Sequence, residues 1–457
     1  MAAALLTMTV AASAQNLSSA YFTQDYKYRH AMNPAMGNDQ NYIAIPVLGN
    51  LNIQTQANFG IRDVLFQNPA TGKYDRTFMH PAVSVSEALD GLSTGKNKLI
   101  GDIGITILSA GFKGWGGYNT IELNSKTQFG VSLPYELFRF AKNLNNDVYD
   151  IGDIDVRAQS YVELAFGHSR QITEDLRVGA KVKLLFGAAR ADVALRDMRA
   201  EMPAGADRWI ISGSAKADVM MKGFTFKSNH KEYELRNGGY DYVNDVDVSG
   251  AGVGGFGLAV DLGATYKVMD GLTVSAALTD LGFIGWSNDI QAVNRSDAFE
   301  FDGFQDISVN EERNPNTFKH NTKNYTDQVA DFIHVTDQGD QGSVTKGIAA
   351  TLRLGGEYQL PMYDKLSVGL LFQQRINGPF SLTEGRLSAN WVPLKWLDGG
   401  VNVAVNNYAA STGWVLNIHP KAINFFLGMD HILGKQTKEG IPLSSNASVN
   451  VGMNVTF

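Results

Sequence analysis

The chain has 457 residues, of which 19% are charged and 10% aromatic; it holds 47 glycines, and 39 Lys+Arg against 46 Asp+Glu give a formal charge of −7. A mean hydropathy of −0.14 excludes a helical membrane protein, which needs several apolar stretches of about 20 residues; the many aromatics exclude a disordered chain, and the acidic balance offers no basic face for nucleic acid. No cysteine is present, which excludes disulfide frameworks and thiolate chemistry, so a glycine-rich soluble β protein and a transmembrane β-barrel remain.

Met1–Ala14 is uncharged and apolar, and Ala12-Ser13-Ala14 fits a small-x-small cleavage site. This predicts a secretory signal peptide over 1–14, although the usual basic start is missing. Residues 15–48 form a separate amino-terminal segment, and 49–457 carry the repeating pattern of a single barrel domain.

That pattern has a period of two. Leu51, Ile53, Thr55 and Ala57 alternate with Asn52, Gln54 and Gln56. Leu176, Val178, Ala180, Val182 and Leu184 alternate with Arg177, Gly179, Lys181 and Lys183. In the last twelve residues Ala447, Val449, Val451, Met453, Val455 and Phe457 oppose Asn446, Ser448, Asn450, Gly452, Asn454 and Thr456. Successive strand residues point to opposite faces, so each run has one apolar and one small-polar surface. A soluble sandwich covers its outer face with dense Lys and Glu. Here that face holds Asn, Gln, Gly and isolated charges, which suits a hydrated barrel interior facing away from lipid. By this alternation Glu122, Lys126, Glu163, Arg177, Lys181, Lys183, Lys216, Asp218, Asp261, Lys267, Arg353 and Glu357 face the lumen, where seven bases and five acids are expected to pair.

Connections alternate between short and long. Lys113–Gly117, Ser169–Asp175, Met269–Gly271, Pro361–Lys365, Pro393–Asp398 and Pro420-Lys421 are short; 62–100, 132–156, 222–253, 282–346 and 432–445 are long. Outer-membrane barrels keep short turns in the periplasm and long loops outside, with an even strand number. Sixteen runs are countable, but one long strand through 176–200 removes a pair, leaving fourteen to sixteen. Ser84-x-x-Glu87 starts a short helix with Val85, Ala88, Leu89 and Leu92 on one face. A second has Leu133, Leu137, Phe140, Ala141 and Leu144 on one face. These helices either plug the mouth or form a capture groove there. Trp115, Trp209, Trp286, Trp391, Trp396 and Trp414 fall near strand ends, as an interfacial aromatic girdle requires.

Arg29–Met36 (ArgHisAlaMetAsnProAlaMet), Leu184-Leu185-Phe186-Gly187 and the stretch Asp261–Trp286 are similar to the corresponding parts of long-chain fatty acid transporter (FadL-type) barrels. The nearest likeness is to a FadL-related outer-membrane family of unassigned function in Bacteroidota. The resemblance implies an all-β, 14-stranded antiparallel barrel in a Gram-negative outer membrane, with an amino-terminal hatch containing Asn33, Pro34 and Ala35. It also implies capture by the long loops and sideways exit through a kinked strand. Gly355-Gly356 and Gly254-Gly255 are the kink candidates, since strand glycines mark bulges.

The eight histidines show no metal spacing, no GxSxG elbow is present, and GVGGFG at 252–257 lacks a following βαβ unit. His168 and Ser169 are adjacent in a strand and point apart, which rules out a nucleophile–base pair. No enzyme activity, cofactor or metal is therefore expected. The leading expectation is passive uptake or binding of a small hydrophobic compound. Its rivals are a scaffold barrel for a secretion or surface-protein complex, and a general porin. The expected surroundings are outer-membrane lipid, outer-membrane assembly machinery and a hydrophobic ligand or protein partner.

Overall fold

The period-two runs become strands of one closed sheet. The computed structural model describes residues 16–142, 148–201, 209–232, 239–294, 299–301, 335–432 and 445–457. The predicted leader over 1–14, Leu144 of the second loop helix and residues 302–334 of the longest loop lie outside them.

Around the barrel run β1 (Leu51–Ala57), β2 (Lys96–Gly114), β3 (Gly117–Pro134), β4 (Val148–Gln171) and β5 (Leu176–Glu201). Then come β6 (Gly255–Met269), β7 (Leu272–Trp286), β8 (Ala350–Gln359), β9 (Leu366–Ile376) and β10 (Leu382–Leu394). The circuit ends with β11 (Leu397–Asn406), β12 (Ala410–Ile418), β13 (Ile423–Met429) and β14 (Ala447–Thr456). Every neighbour pairs antiparallel, and β14 pairs with β1, so fourteen strands close the wall. A short piece, Tyr42–Ala44, continues the β1 position between β14 and β2. Closure leaves no exposed edge in the ring, the condition for a sheet in lipid.

Burial is inverted relative to a soluble protein. On β14, Ser448, Asn450, Asn454 and Thr456 are buried, whereas Val455 and Phe457 are exposed. On β11, Asn402 is buried and Val401, Val403 and Val405 point out. On β5, Lys181 and Lys183 are buried while Val182 is 52% exposed. An arginine at position 182 would carry charge into the apolar band, at a cost of about 2–4 kcal/mol near its middle. Val182→Arg is therefore expected to impair assembly and Lys181→Ala to leave a folded though less stable barrel, since Glu122 loses its buried partner, with heat-modifiable electrophoretic mobility as the readout. Equal loss in both variants would overturn the face assignment.

β4 and β5 have 24 and 26 residues. At ~3.3 Å per residue such a strand reaches roughly 80 Å, far beyond a ~30 Å hydrocarbon core. The first half of β5 pairs with β6, and its second half with the segment Trp209–Met221. That segment, Ile290–Asn294, Val335–Asp340 and the hairpin Phe224–Glu232/Gly239–Val248 build a unit at the long-loop end. It has its own apolar core, including Phe140, Tyr149, Leu195, Met198, Phe224 and Phe226.

Two of the three short α-helices among the described residues stand at this end: α2 (Val85–Asp90) and α3 (Tyr135–Lys142). The Ser84 hydroxyl caps α2 by accepting from the Glu87 amide at 3.2 Å. Ala88 and Leu92 are buried, as are Phe138 and Phe140 of α3. At the opposite rim the connections are short. Trp115 and Gly116 form the β2–β3 turn with φ of 51° and 74°, the left-handed pair that matches hairpin twist.

Candidate functional site

The lumen is filled by the chain's own amino terminus. Residues 16–41 supply a 3₁₀ turn (Ser18–Ala20) and α1 (Arg29–Met32). Tyr21, Tyr26, Tyr28 and Tyr42 are completely buried there with Leu17, Met32 and Phe426. Tyrosine suits this place because its ring packs while its hydroxyl meets a polar wall. The Tyr28 hydroxyl donates to Asn454 Oδ1 at 2.8 Å, and Tyr21 and Ser275 hydroxyls lie 3.0 Å apart. Tyr42 Oη lies 2.8 Å from both His30 Nε2 and Ser109 Oγ. The Ser18 and Ser19 amides donate to Asp430 at 2.9 and 2.6 Å, and Arg386 holds that carboxylate at 3.2 Å.

Asn33, Pro34 and Ala35 sit in this hatch against the wall. The Asn33 amide nitrogen donates to the carbonyls of Ala264 on β6 and Ala276 on β7, at 3.3 and 3.4 Å. Its Oδ1 accepts from the Ala35 amide at 3.0 Å. Gly179 and Gly263, paired across β5 and β6, make the room. A Cβ at Gly179 would fall 2.2 Å from the Pro34 carbonyl oxygen, and one at Gly263 would fall 2.1 Å from Asn33 Oδ1.

Beside the hatch, six of the lumen charges assigned by alternation gather into a knot of three ion pairs. Lys183 Nζ reaches Asp261 at 2.8 Å, Lys126 reaches Glu163 at 3.0 Å, and Lys181 pairs with Glu122. Lys181 Nζ also lies 2.9 Å from His30 Nδ1 of the hatch. The others stand apart: Arg177 donates to Ser169 at 3.1 Å, Arg353 to Thr279 at 3.0 Å, and Glu357 accepts from Ser367 at 2.7 Å. Asp218 is buried in the long-loop unit, paired with a half-exposed Lys216. Lys267 is not in the lumen; it is exposed at a turn and pairs with Asp270, because β6 has left the lumen by then.

Strict alternation fails at Asp280, the knot's missing centre. Two β7 residues, Thr279 and Asp280, face one β6 residue, Asp261, and Asp280 has φ of 59°. This is a β-bulge, which re-aims a side chain. With Thr279 turned inward, period two would send Asp280 out; the bulge brings it in. Its carboxylate takes Lys183 at 2.6 Å and Lys126 at 3.2 Å, and its amide donates to Asp261 at 2.7 Å.

The same bulge reverses the face of the rest of β7. Leu281 and Phe283 point out; Ile284 and Trp286 point in. Trp286 is 1% exposed, packed with Tyr161, Leu185, Met220 and Ile284, and so does not belong to an outer girdle. Trp115, Trp391 and Trp396 are exposed near the short turns, and Trp414 is half-buried on β12. Trp209 begins the strand that pairs with the second half of β5, and its own ladder partner is Phe301.

The wall is irregular at one height. Leu272–Thr279 of β7 pair with Tyr358–Thr351 of β8, while Phe283–Trp286 pair with the separate piece Val344–Gly347. Asp280 and Leu281 form no ladder pair with Ala349 and Ala350 between these two stretches. Gly355-Gly356 are not this irregularity: both run in unbroken register with β7 and β9. Gly355 instead leaves space for Tyr21 of the hatch, which its Cβ would meet at 2.9 Å. Gly254 precedes β6 and Gly255 opens it, in unbroken register with Gly187 and Trp286. On the lumen side the break adjoins a cavity of about 10 Å³, the size of one water, between Gln128, Arg157, Arg190, Ile348, Ala349 and Phe380. Where β6 and β7 end, a groove of about 370 Å³ is lined by Val253, Phe256, Trp286, Val344 and glycine backbone.

The solved structures this chain resembles include three, from Gram-negative bacteria, that are named for what they carry or for their family. The toluene transporter TodX of P. putida is 10% identical, with a TM-score of 0.40, covering 93% of this chain and 90% of that one. The toluene transporter TbuX of Ralstonia pickettii is 11% identical, with a TM-score of 0.41, covering 98% and 95%. A Pseudomonas aeruginosa FadL homologue is 11% identical, with a TM-score of 0.40, covering 98% of each. No curated protein matches the sequence. The model of the family DUF5723, described as a family of unknown function, matches residues 34–430. That span runs from the hatch to the end of β13, and the chain accordingly belongs to the DUF5723 family.

Proposed function

We propose that this protein is an outer-membrane barrel that passively takes up a small hydrophobic compound, which leaves sideways through the wall between β7 and β8. One observation carries the reading: the only described interruption of the β7 ladder on its β8 side lies beside a lumen cavity, above a hatch that fills the straight path. An apolar solute gains about 25 cal/mol per Å² on leaving water, so a lateral exit into lipid needs no energy source. The resemblance to FadL-type barrels supports the same route.

The chain has no cysteine, so a single engineered pair can close the gap cleanly. Cysteines at Leu281 and Ala349 joined by a short bis-maleimide are expected to abolish uptake of tritiated oleate and labelled toluene into cells. The uncrosslinked variant should transport normally. Full uptake after quantitative crosslinking would overturn the lateral route. No uptake of either probe by the wild-type protein would favour a scaffold role, which the separately cored unit at the long-loop end suits.

A further inference from the structure

Three side chains from distant parts of the sequence converge at the short-turn rim. Asp25 belongs to the hatch, Asp398 opens β11, and His419 follows β12. His419 Nε2 lies 3.3 Å from Asp398 Oδ1 and 3.6 Å from Asp25 Oδ2, and the three atoms lie within 4.8 Å of one another. Asp398 and His419 are almost wholly buried, at 1% and 4% side-chain exposure, whereas Asp25 is 37% exposed. His419 Nε2 is buried without a hydrogen-bond partner and points into this group.

We propose that Asp25, Asp398 and His419 bind a divalent transition-metal ion of the zinc class, and that the ion staples the hatch to the barrel wall. One imidazole nitrogen and two carboxylate oxygens form a donor set that suits zinc; hard calcium and magnesium prefer all-oxygen cages. With bonds of about 2.0–2.2 Å, a tetrahedral site separates its ligand atoms by about 3.3–3.6 Å. The two histidine–carboxylate separations already have that spacing. A small rotation of the more exposed Asp25 completes the third edge and leaves the fourth position to water. Two carboxylates and a neutral imidazole balance the ion's charge. Lys27 contributes to the field at Asp25 and Asp398, but its ammonium donates to Gln40 at 3.2 Å.

The Asp398 carboxylate is held from behind, as ligating carboxylates are, and the His419 backbone is anchored beside it. The His419 amide donates to the Trp396 carbonyl at 2.8 Å. Asp398 Oδ1 accepts from Asn417 at 2.6 Å, and Asn417 accepts from Asn424 at 2.6 Å. Asn424 accepts from Asn454 at 3.4 Å, and Asn454 accepts the hatch hydroxyl of Tyr28. The Asp25 amide donates to Asp398 Oδ2 at 3.2 Å, so hatch and wall already touch at the site. Its ligands stand at positions 25, 398 and 419, which is why no local spacing announces it.

Zn²⁺ titration of the full-length, chelator-stripped barrel in detergent is expected to give one ion per chain, and Co²⁺ to give tetrahedral d–d absorption. Asp25→Asn and His419→Gln should each weaken binding by roughly 100-fold, the upper end of what even groups behind a ligand cost. Asp25 is on the hatch, so its variant keeps the wall intact. Zn²⁺ should slow hydrogen exchange over residues 16–36 in the wild type and not in Asp25→Asn. Absence of stoichiometric binding would overturn the site, as would unweakened binding in both variants. Binding without hatch protection would overturn the staple. Uptake is not measured, so the outcome is separate from the transport reading.

Discussion

Asp102→Ala is expected to destabilise the barrel by about 3–5 kcal/mol, the cost of leaving a buried charge without its partner. Asp102 on β2 accepts two hydrogen bonds from Arg375 on β9, both 2.8 Å long, and both side chains are almost fully buried. Fork-to-fork geometry makes such a pair directional as well as strong. β2 and β9 are not neighbours, so the pair is a strut across the lumen rather than part of one ladder. Denaturant unfolding in lipid or detergent would measure the loss. The double variant Asp102→Leu with Arg375→Met should recover most of it, because replacing both ions removes the unpaired charge. If the double variant loses as much as the two single losses added together, the strut does not couple the walls.

Gly179→Val is expected to open the barrel without unfolding it. Its first carbon alone would fall 2.2 Å from the Pro34 carbonyl oxygen, a backbone atom that no side-chain rotation can clear. Overpacking of this kind costs about 1–3 kcal/mol, and the element free to move is the hatch, since β5 is held by ladders on both sides. Loss of the Pro34 seat also strips Asn33 from the carbonyls of Ala264 and Ala276. Planar-bilayer recordings should show low conductance for the wild type and a stable open level for the variant. Protease added to the detergent-solubilised variant should cut within residues 16–41. An unchanged conductance together with an uncut hatch would show that Asn33–Ala35 do not depend on the glycine pair.

Much of this was legible one strand at a time. Val182 outward and Lys183 inward follow from period two alone, and so does the Asn454 side of β14. The long β5 was only half legible: the run at 176–200 fitted one long strand or a hairpin, and the structure has the single strand Leu176–Glu201. Asp280 and Trp286 were not, because a single extra residue at a bulge inverts every later side chain. No residue type signals it: Asp280 holds a left-handed φ without being glycine, fixed by its bond to Asp261. Gly355-Gly356 misled for the opposite reason. Gly355 accommodates Tyr21, a packing need indistinguishable in sequence from a kink, and a Cβ at Gly356 would meet nothing.

Wherever the ladder runs without a bulge, the sequence by itself determined which face of a strand meets lipid and which meets the lumen, since that choice depends only on the chain's own alternation and the cost of burying charge. Tertiary structure alone decided what lies inside. The Asp102–Arg375 strut, the Asn33 seat on Gly179 and Gly263, the Asp280 knot and the Asp25–Asp398–His419 group join residues up to hundreds of positions apart. Their distances are set by barrel closure and by where the amino terminus settles, neither of which a local pattern records.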